Sequence, residues 1–179
     1  MRYVHAVAVA GLLGAAIPVA QAAQEGYVYT ATHGASCSDR LRESVSQWRC
    51  PGPGGYVAEY LDEGSVAGIA IWRPATRRAS SRAVSWRGAG RVFGEKLEWR
   101  LRNGEPHAAI LRTWRTATDA DGKDRELEEL MILKISASGA CRVTAINARQ
   151  PRANAIAQQT ADGAATMPCH DDRLIHHDH

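Results

Sequence analysis

Leu97, Trp99 and Leu101 alternate with Lys96, Glu98, Arg100 and Arg102, the period of two that a half-buried β-strand requires. Asn103-Gly104 follows, two residue types that accept positive φ, and Ala108 to Arg115 then returns as a second apolar-rich run, so a hairpin is predicted. After the polar turn Asp119 to Asp124, Glu126 to Ile135 carries Leu127, Leu130, Ile132 and Ile135. Beyond Gly139, Cys141 to Ile146 pairs back as a further hairpin. Nearer the start, Gly26 to Thr30 has the β-branched and aromatic content of a first strand. Tyr56 to Tyr60 and Val66 to Trp72 flank Asp62-Glu63-Gly64 as another hairpin, and Ala83 to Trp86 reads as a brief edge strand. Ala153, Ile156, Ala157, Thr160 and Ala161 recur at helical spacing, with Gly163 where a helix ends. The pattern predicts a mainly β (α+β) fold, an antiparallel meander or small barrel of about 6–8 strands with one C-terminal helix.

Three stretches are less regular. Ser38 to Gln47 mixes charge around Leu41 and Val45 and is expected to hold one or two helical turns. Pro74 to Arg82 is polar and Arg-rich, and reads as a mobile loop. Trp48 to Tyr56, with Cys50, Pro51, Pro53 and three glycines, joins two differently composed regions; its prolines restrict φ while its glycines permit turns.

The ends of the chain add a location. Arg2, the apolar run Ala6 to Val19 and the small residues of Ala20-Gln21-Ala22 have the order of an export signal, expected over residues 1–22. The rival is a membrane anchor, for which the run is short against the roughly 20 residues a span needs. No later run is long and apolar enough to cross a membrane. Residues 23–169 are expected to form a single disulfide-bonded β-rich domain, periplasmic or secreted, and residues 170–179 a disordered tail rich in His and Asp. All four cysteines, Cys37, Cys50, Cys141 and Cys169, fall in that domain, which in an oxidising compartment implies two disulfides. Three pairings are open, the local one being Cys37 with Cys50 and Cys141 with Cys169. Zinc is not expected, because no cysteine has a partner two to four residues away.

Several short motifs in order resemble a family of small exported bacterial proteins: Trp48-Arg49-Cys50-Pro51-Gly52 with Gly54-Gly55, Leu97-Glu98-Trp99-Arg100, Ala109-Ile110-Leu111-Arg112, Cys141-Arg142-Val143, Ala153-Asn154-Ala155 and Pro168-Cys169. The resemblance spans Tyr27 to Cys169 and implies an exported two-disulfide domain with the local cysteine pairing. Members often carry an acid after the strand that follows the third cysteine, where this chain has Asn147. The family has no established function, so the resemblance implies no catalytic residue.

Charge is unevenly spread. From Arg73 to Arg115 ten arginines and Lys96 face only Glu95, Glu98 and Glu105, whereas from Asp119 to Glu129 six acids face Lys123 and Arg125. The basic stretch, with Trp72, Trp86, Trp99 and Trp114 interleaved, has the ingredients of a surface for an anionic polymer. Alternation turns Trp99 to the core and Arg100 and Arg102 outward, and the acidic hairpin offers neutralisation. The candidate binding residues are Arg87, Arg91, Arg100, Arg102, Arg112 and Arg115.

Candidate chemistry is sparse. No Gly-x-Ser-x-Gly elbow is present, and His33 and His107 are read as surface or structural residues. Glu59 and Glu98 would be a paired-carboxylate candidate, but alternation reads them as solvent-facing sheet residues. Asp119 to Asp124 fails as a calcium loop, since its glycine stands fourth rather than sixth and Lys123 takes the fifth position. In the tail, His170, His176, His177 and His179 are candidate metal ligands. The reading favoured is a non-enzymatic binding or interaction module with an Arg-rich face, for an anionic polymer or a protein of the cell envelope. No cofactor and no nucleic acid is expected. The alternatives are a cell-envelope hydrolase using Glu59, Glu98 or His107, and a metal-binding protein acting through the tail.

Overall fold

The computed structural model describes residues 26–42, 45–74, 83–86 and 92–170. The expected leader at 1–22, the loop residues 75–82, Arg87, Arg91, and the tail ligands His176, His177 and His179 lie outside these residues.

Ten strands and one α-helix are found among the described residues: β1 (Gly26–Ala31), β2 (Ser38–Arg42), β3 (Val45–Pro51), β4 (Val57–Asp62), β5 (Val66–Trp72), β6 (Ala83–Trp86), β7 (Phe93–Arg102), β8 (Glu105–Thr118), β9 (Asp124–Ser136), β10 (Gly139–Asn147) and α1 (Ala153–Asp162). The mainly β fold with a C-terminal helix is as the pattern predicts. The strands form two open antiparallel five-stranded sheets, ordered β1-β7-β8-β9-β10 and β2-β3-β4-β5-β6, with no closed barrel among the described residues. Sequence neighbours pair throughout except where the chain passes between sheets: β1 lies against β7, with Tyr29 opposite Glu98.

Local turn chemistry sets the hairpins. Asn103 and Gly104 both take positive φ, 55° and 78°, and close β7 onto β8 in two residues. Gly64 at φ 87° serves the β4–β5 turn, where Asp62 Oδ1 also accepts the Gly64 N–H.

Among the described residues of Ser38 to Gln47 the expected helical turns are not found. β2 and β3 form a hairpin instead, Ser38 opposite Arg49, and Cys37–Cys50 bridges its open end with Cα atoms 4.2 Å apart. Pairing with β4 overrides the weak local preference: Trp48 lies opposite Tyr60, and their rings stack at 5.4 Å.

The two sheets pack face to face. Leu97, Trp99 and Leu111 from one meet Tyr60, Ile69 and Ile71 from the other, all essentially inaccessible. Trp99 is at the centre of this layer, as its parity predicts, and the junction Trp48 to Tyr56 closes over it. Gly52 lies so near that a Cβ there would stand 2.5 Å from Trp99 Cζ2.

The opposite face of the β1-β7-β8-β9-β10 sheet carries α1. Ala153, Ala157 and Ala161 are the helix's buried stripe, packed on Ala108, Ile110, Leu130 and Ile132. Their small side chains let the helix lie close to the strands. The Cys141–Cys169 disulfide ties the chain after α1 back to β10, and Lys134 donates to the Met167 carbonyl beside it. Both bridges follow the local pairing that the resemblance implies.

Candidate functional site

Alternation sends Tyr27 and Tyr29 of β1, Lys96, Glu98 and Arg100 of β7, Ile110, Arg112 and Trp114 of β8, and Glu128 and Leu130 of β9 to the face shared with α1. Because α1 covers only part of this face, an open cleft of about 750 Å³ remains. Its floor includes Glu98 and Ile110, its aromatic members are Tyr29 and Trp114, and α1 contributes Asn154 and Gln158 one turn apart.

Glu98 organises the floor. Its carboxylate accepts from the Tyr29 hydroxyl at 3.0 Å, from Arg100 Nη1 at 3.0 Å and from Gln158 Nε2 at 3.1 Å, so one acid joins β1, β7 and α1. Two of the three donors follow from register: Tyr29 is the cross-strand neighbour of Glu98, and Arg100 is two residues along the same face. Withdrawal of the Tyr29 hydroxyl from water, then its bond to Glu98, raises that phenol above the ordinary tyrosine value. Arg100 continues to Asp162 at the end of α1, whose hydrogen bonds hold the guanidinium above its usual range against the opposing effect of burial. Arg102 donates to the Asp162 carbonyl, a cation at a helix C-terminus.

Among the described residues, three candidate arginines share the α1 face, each turned to a partner, and the fourth faces the other way. Arg100 and Arg102 turn to the end of α1, and Arg112 pairs with Glu128, which Arg149 also approaches at 3.8 Å. Arg115 has the opposite parity and forms a two-pronged pair with Glu129, both contacts at 2.9 Å. The acidic strand β9 thus neutralises the basic strand β8, the arrangement that the charge distribution offered.

Glu59 and Glu98 are not solvent-facing: each is only 8% exposed. Alternation identifies a face correctly but not what covers it. Glu98 lies beneath Gln158, and Glu59 beneath Arg49 at 2.6 Å, whose guanidinium also stands 5.2 Å from the Trp72 ring centroid. The two acids occupy different sheets, and of Glu59, Glu98 and His107 the cleft takes Glu98 alone. His33 lies at its own small hollow, where Thr32 Oγ1 donates to the Gly94 carbonyl and is therefore left to accept from His33 Nδ1 at 3.0 Å. His170 is exposed and its backbone N–H donates to Arg142; no cluster of metal-ligating side chains occurs among the described residues.

Tyr29, Glu128, Asn154 and Gln158 escape a reading of the sequence because their meeting depends on β1 crossing to β7 and on the seat of α1. A partial signal exists: Asn154 and Gln158 are spaced i, i+4 and directly follow Ala153 and Ala157 of the apolar stripe, which puts them at its edge. No protein-family model matches the chain, and neither a curated protein nor a solved structure is significantly similar to it.

Proposed function

We propose that this chain is an exported binding module, periplasmic or secreted, belonging to the family of small exported bacterial proteins that its motifs resemble, and that its ligand occupies the cleft beside α1. The observation that carries the reading is the cleft itself, a concave surface assembled from four strands and a helix and held by the Glu98 network. Two disulfides fit an oxidising compartment, and no helix among the described residues is long and apolar enough to cross a membrane.

Binding is favoured over catalysis because Glu98 is fully engaged by Tyr29, Arg100 and Gln158, with neither of the other hydrolase candidates beside it. The cleft is favoured over an arginine face because Arg100, Arg112 and Arg115 are each paired with a carboxylate. Cell fractionation and N-terminal sequencing of the expressed chain test export: a mature protein beginning near residue 23 outside the cytoplasm is expected, and full-length protein confined to the cytoplasm overturns it. Incubation with envelope polymers followed by mass spectrometry tests the other half. Retention without cleavage is expected, and product formation abolished by Glu98→Gln would establish the hydrolase instead.

A further inference from the structure

We infer that the ligand held in the cleft is a neutral oligosaccharide segment, an assignment that rests on the cleft being the binding site. Three properties of the lining point to this class. The first is compensation of charge. Arg112 faces Glu128, and Arg100 is shared between Glu98 and Asp162, so the guanidinium groups bordering the cleft already have carboxylate partners. These groups neutralise one another, and Glu95 and Lys96 add one charge of each sign to the lining, so it favours neither an anionic nor a cationic polymer.

The second is the kind of hydrogen-bonding group left over. Asn154, exposed on the first turn of α1, has a whole side-chain amide to offer, two donors and an acceptor. Gln158 uses Nε2 on Glu98, which leaves its Oε1 as an acceptor, and the Tyr29 hydroxyl, having donated to Glu98, keeps its lone pairs. Lys96 adds donors at the same surface, its ammonium 5.8 Å from the Tyr29 ring centroid. Closely spaced donors and acceptors suit hydroxyl groups, each of which both donates and accepts.

The third is the aromatic content. Trp114 and Tyr29 line the cleft together with Ile110, giving apolar surface for the C–H faces of sugar rings beside polar edges for their hydroxyls. A volume of about 750 Å³, open to solvent, admits a segment of a chain from the side.

The test uses the ¹⁵N-labelled protein with both disulfides oxidised. The side-chain amides of Asn154 and Gln158 and the indole N–H of Trp114 are reporters inside the cleft, read in a two-dimensional ¹H–¹⁵N spectrum. Tetrasaccharides of N-acetylglucosamine, cellulose type and maltose type are titrated, with a tetragalacturonate and an uncharged tetrapeptide as comparisons. At least one neutral tetrasaccharide is expected to shift all three reporters. Asn154→Ala, at an exposed helix position where alanine is well tolerated, is expected to weaken that binding about tenfold, the effect of one lost hydrogen bond to a neutral group. Shifts of the reporters by tetragalacturonate or the tetrapeptide alone would overturn the sugar assignment and leave the cleft as the site. Reporters that move with none of the five would overturn the assignment and the cleft together.

Discussion

Arg100 on β7 holds Asp162 on the last turn of α1 by two parallel hydrogen bonds, Nε to Oδ1 and Nη2 to Oδ2, each 2.9 Å. The same guanidinium reaches Glu98 through Nη1 at 3.0 Å, so a single side chain links the helix end to the cleft floor. The two partners are unequal. The Asp162 side chain is 40% exposed and that of Glu98 11%. Asp162→Ala is therefore expected to lower stability by about 1 kcal/mol, water replacing much of what is lost. Arg100→Met, which also deprives the buried Glu98 of a donor, is expected to cost about 2–3 kcal/mol. Urea denaturation of both variants distinguishes them, and equal losses would show that Glu98 does not depend on Arg100.

Gly52 and Trp99 give a second expectation. A methyl group on Gly52 would overlap the indole at 2.5 Å, and Trp99, wholly inaccessible, has no room to retreat. Gly52→Ala is expected to destabilise by about 1–3 kcal/mol through overpacking, whereas Gly55→Ala, where nothing lies within 4 Å, would be limited by its positive φ of 75° to about 1 kcal/mol. Thermal unfolding in parallel checks the order of the two. It also decides whether the Trp48 to Tyr56 junction acts chiefly as a lid on Trp99.

The elements were legible where a local pattern determines them. Period-two alternation placed Trp99 inward, Asn103-Gly104 specified a two-residue turn, and the Ala153 to Ala161 spacing marked a helix with Gly163 at its C-terminal cap. What depended on long-range pairing was not legible. β1 pairs across some seventy residues with β7, Tyr29 opposite Glu98, and nothing near Tyr29 in sequence announces that partner. The Ser38 to Gln47 hairpin likewise owes its form to β4 and to Cys50, not to its own composition. The cleft, built where a distant strand, a meander and a helix meet, inherits all of these dependences.

The Cys141–Cys169 bridge closes a span of 28 residues that contains α1, and the Cys37–Cys50 bridge one of 13. By unfolded-chain entropy, removing the first should cost about 3.5 kcal/mol and the second about 3 kcal/mol. The Cys141→Ser, Cys169→Ser variant is also expected to speed amide exchange in α1 relative to β8, since the helix then keeps its packing and the Arg100, Arg102, Gln158 and Lys134 contacts. A loss under about 1 kcal/mol with unchanged exchange would assign the seating of the helix to those contacts alone.

Tyr60 is buried between the sheets, stacked on Trp48, and its hydroxyl has no hydrogen-bond partner among the described residues. Burial raises its phenol well above the ordinary value of 10.0. In the unfolded chain the same group ionises near pH 10, so above that point the folded state retains a proton that the unfolded state has lost. Stability is therefore expected to be flat in this respect below about pH 9 and to fall as pH rises through about 10. Tyr29, raised by withdrawal from water and by Glu98, acts with the same sign. Tyr60→Phe removes an unsatisfied buried hydroxyl and should leave stability at pH 7 unchanged or higher by up to about 1 kcal/mol, while making the alkaline fall shallower. Urea titrations at pH 7 and in steps from pH 9 to pH 11 test both halves. A Phe variant weaker at pH 7 by more than about 1 kcal/mol would mean that the hydroxyl is satisfied in solution, and the steepness attributed to Tyr60 would then have another source.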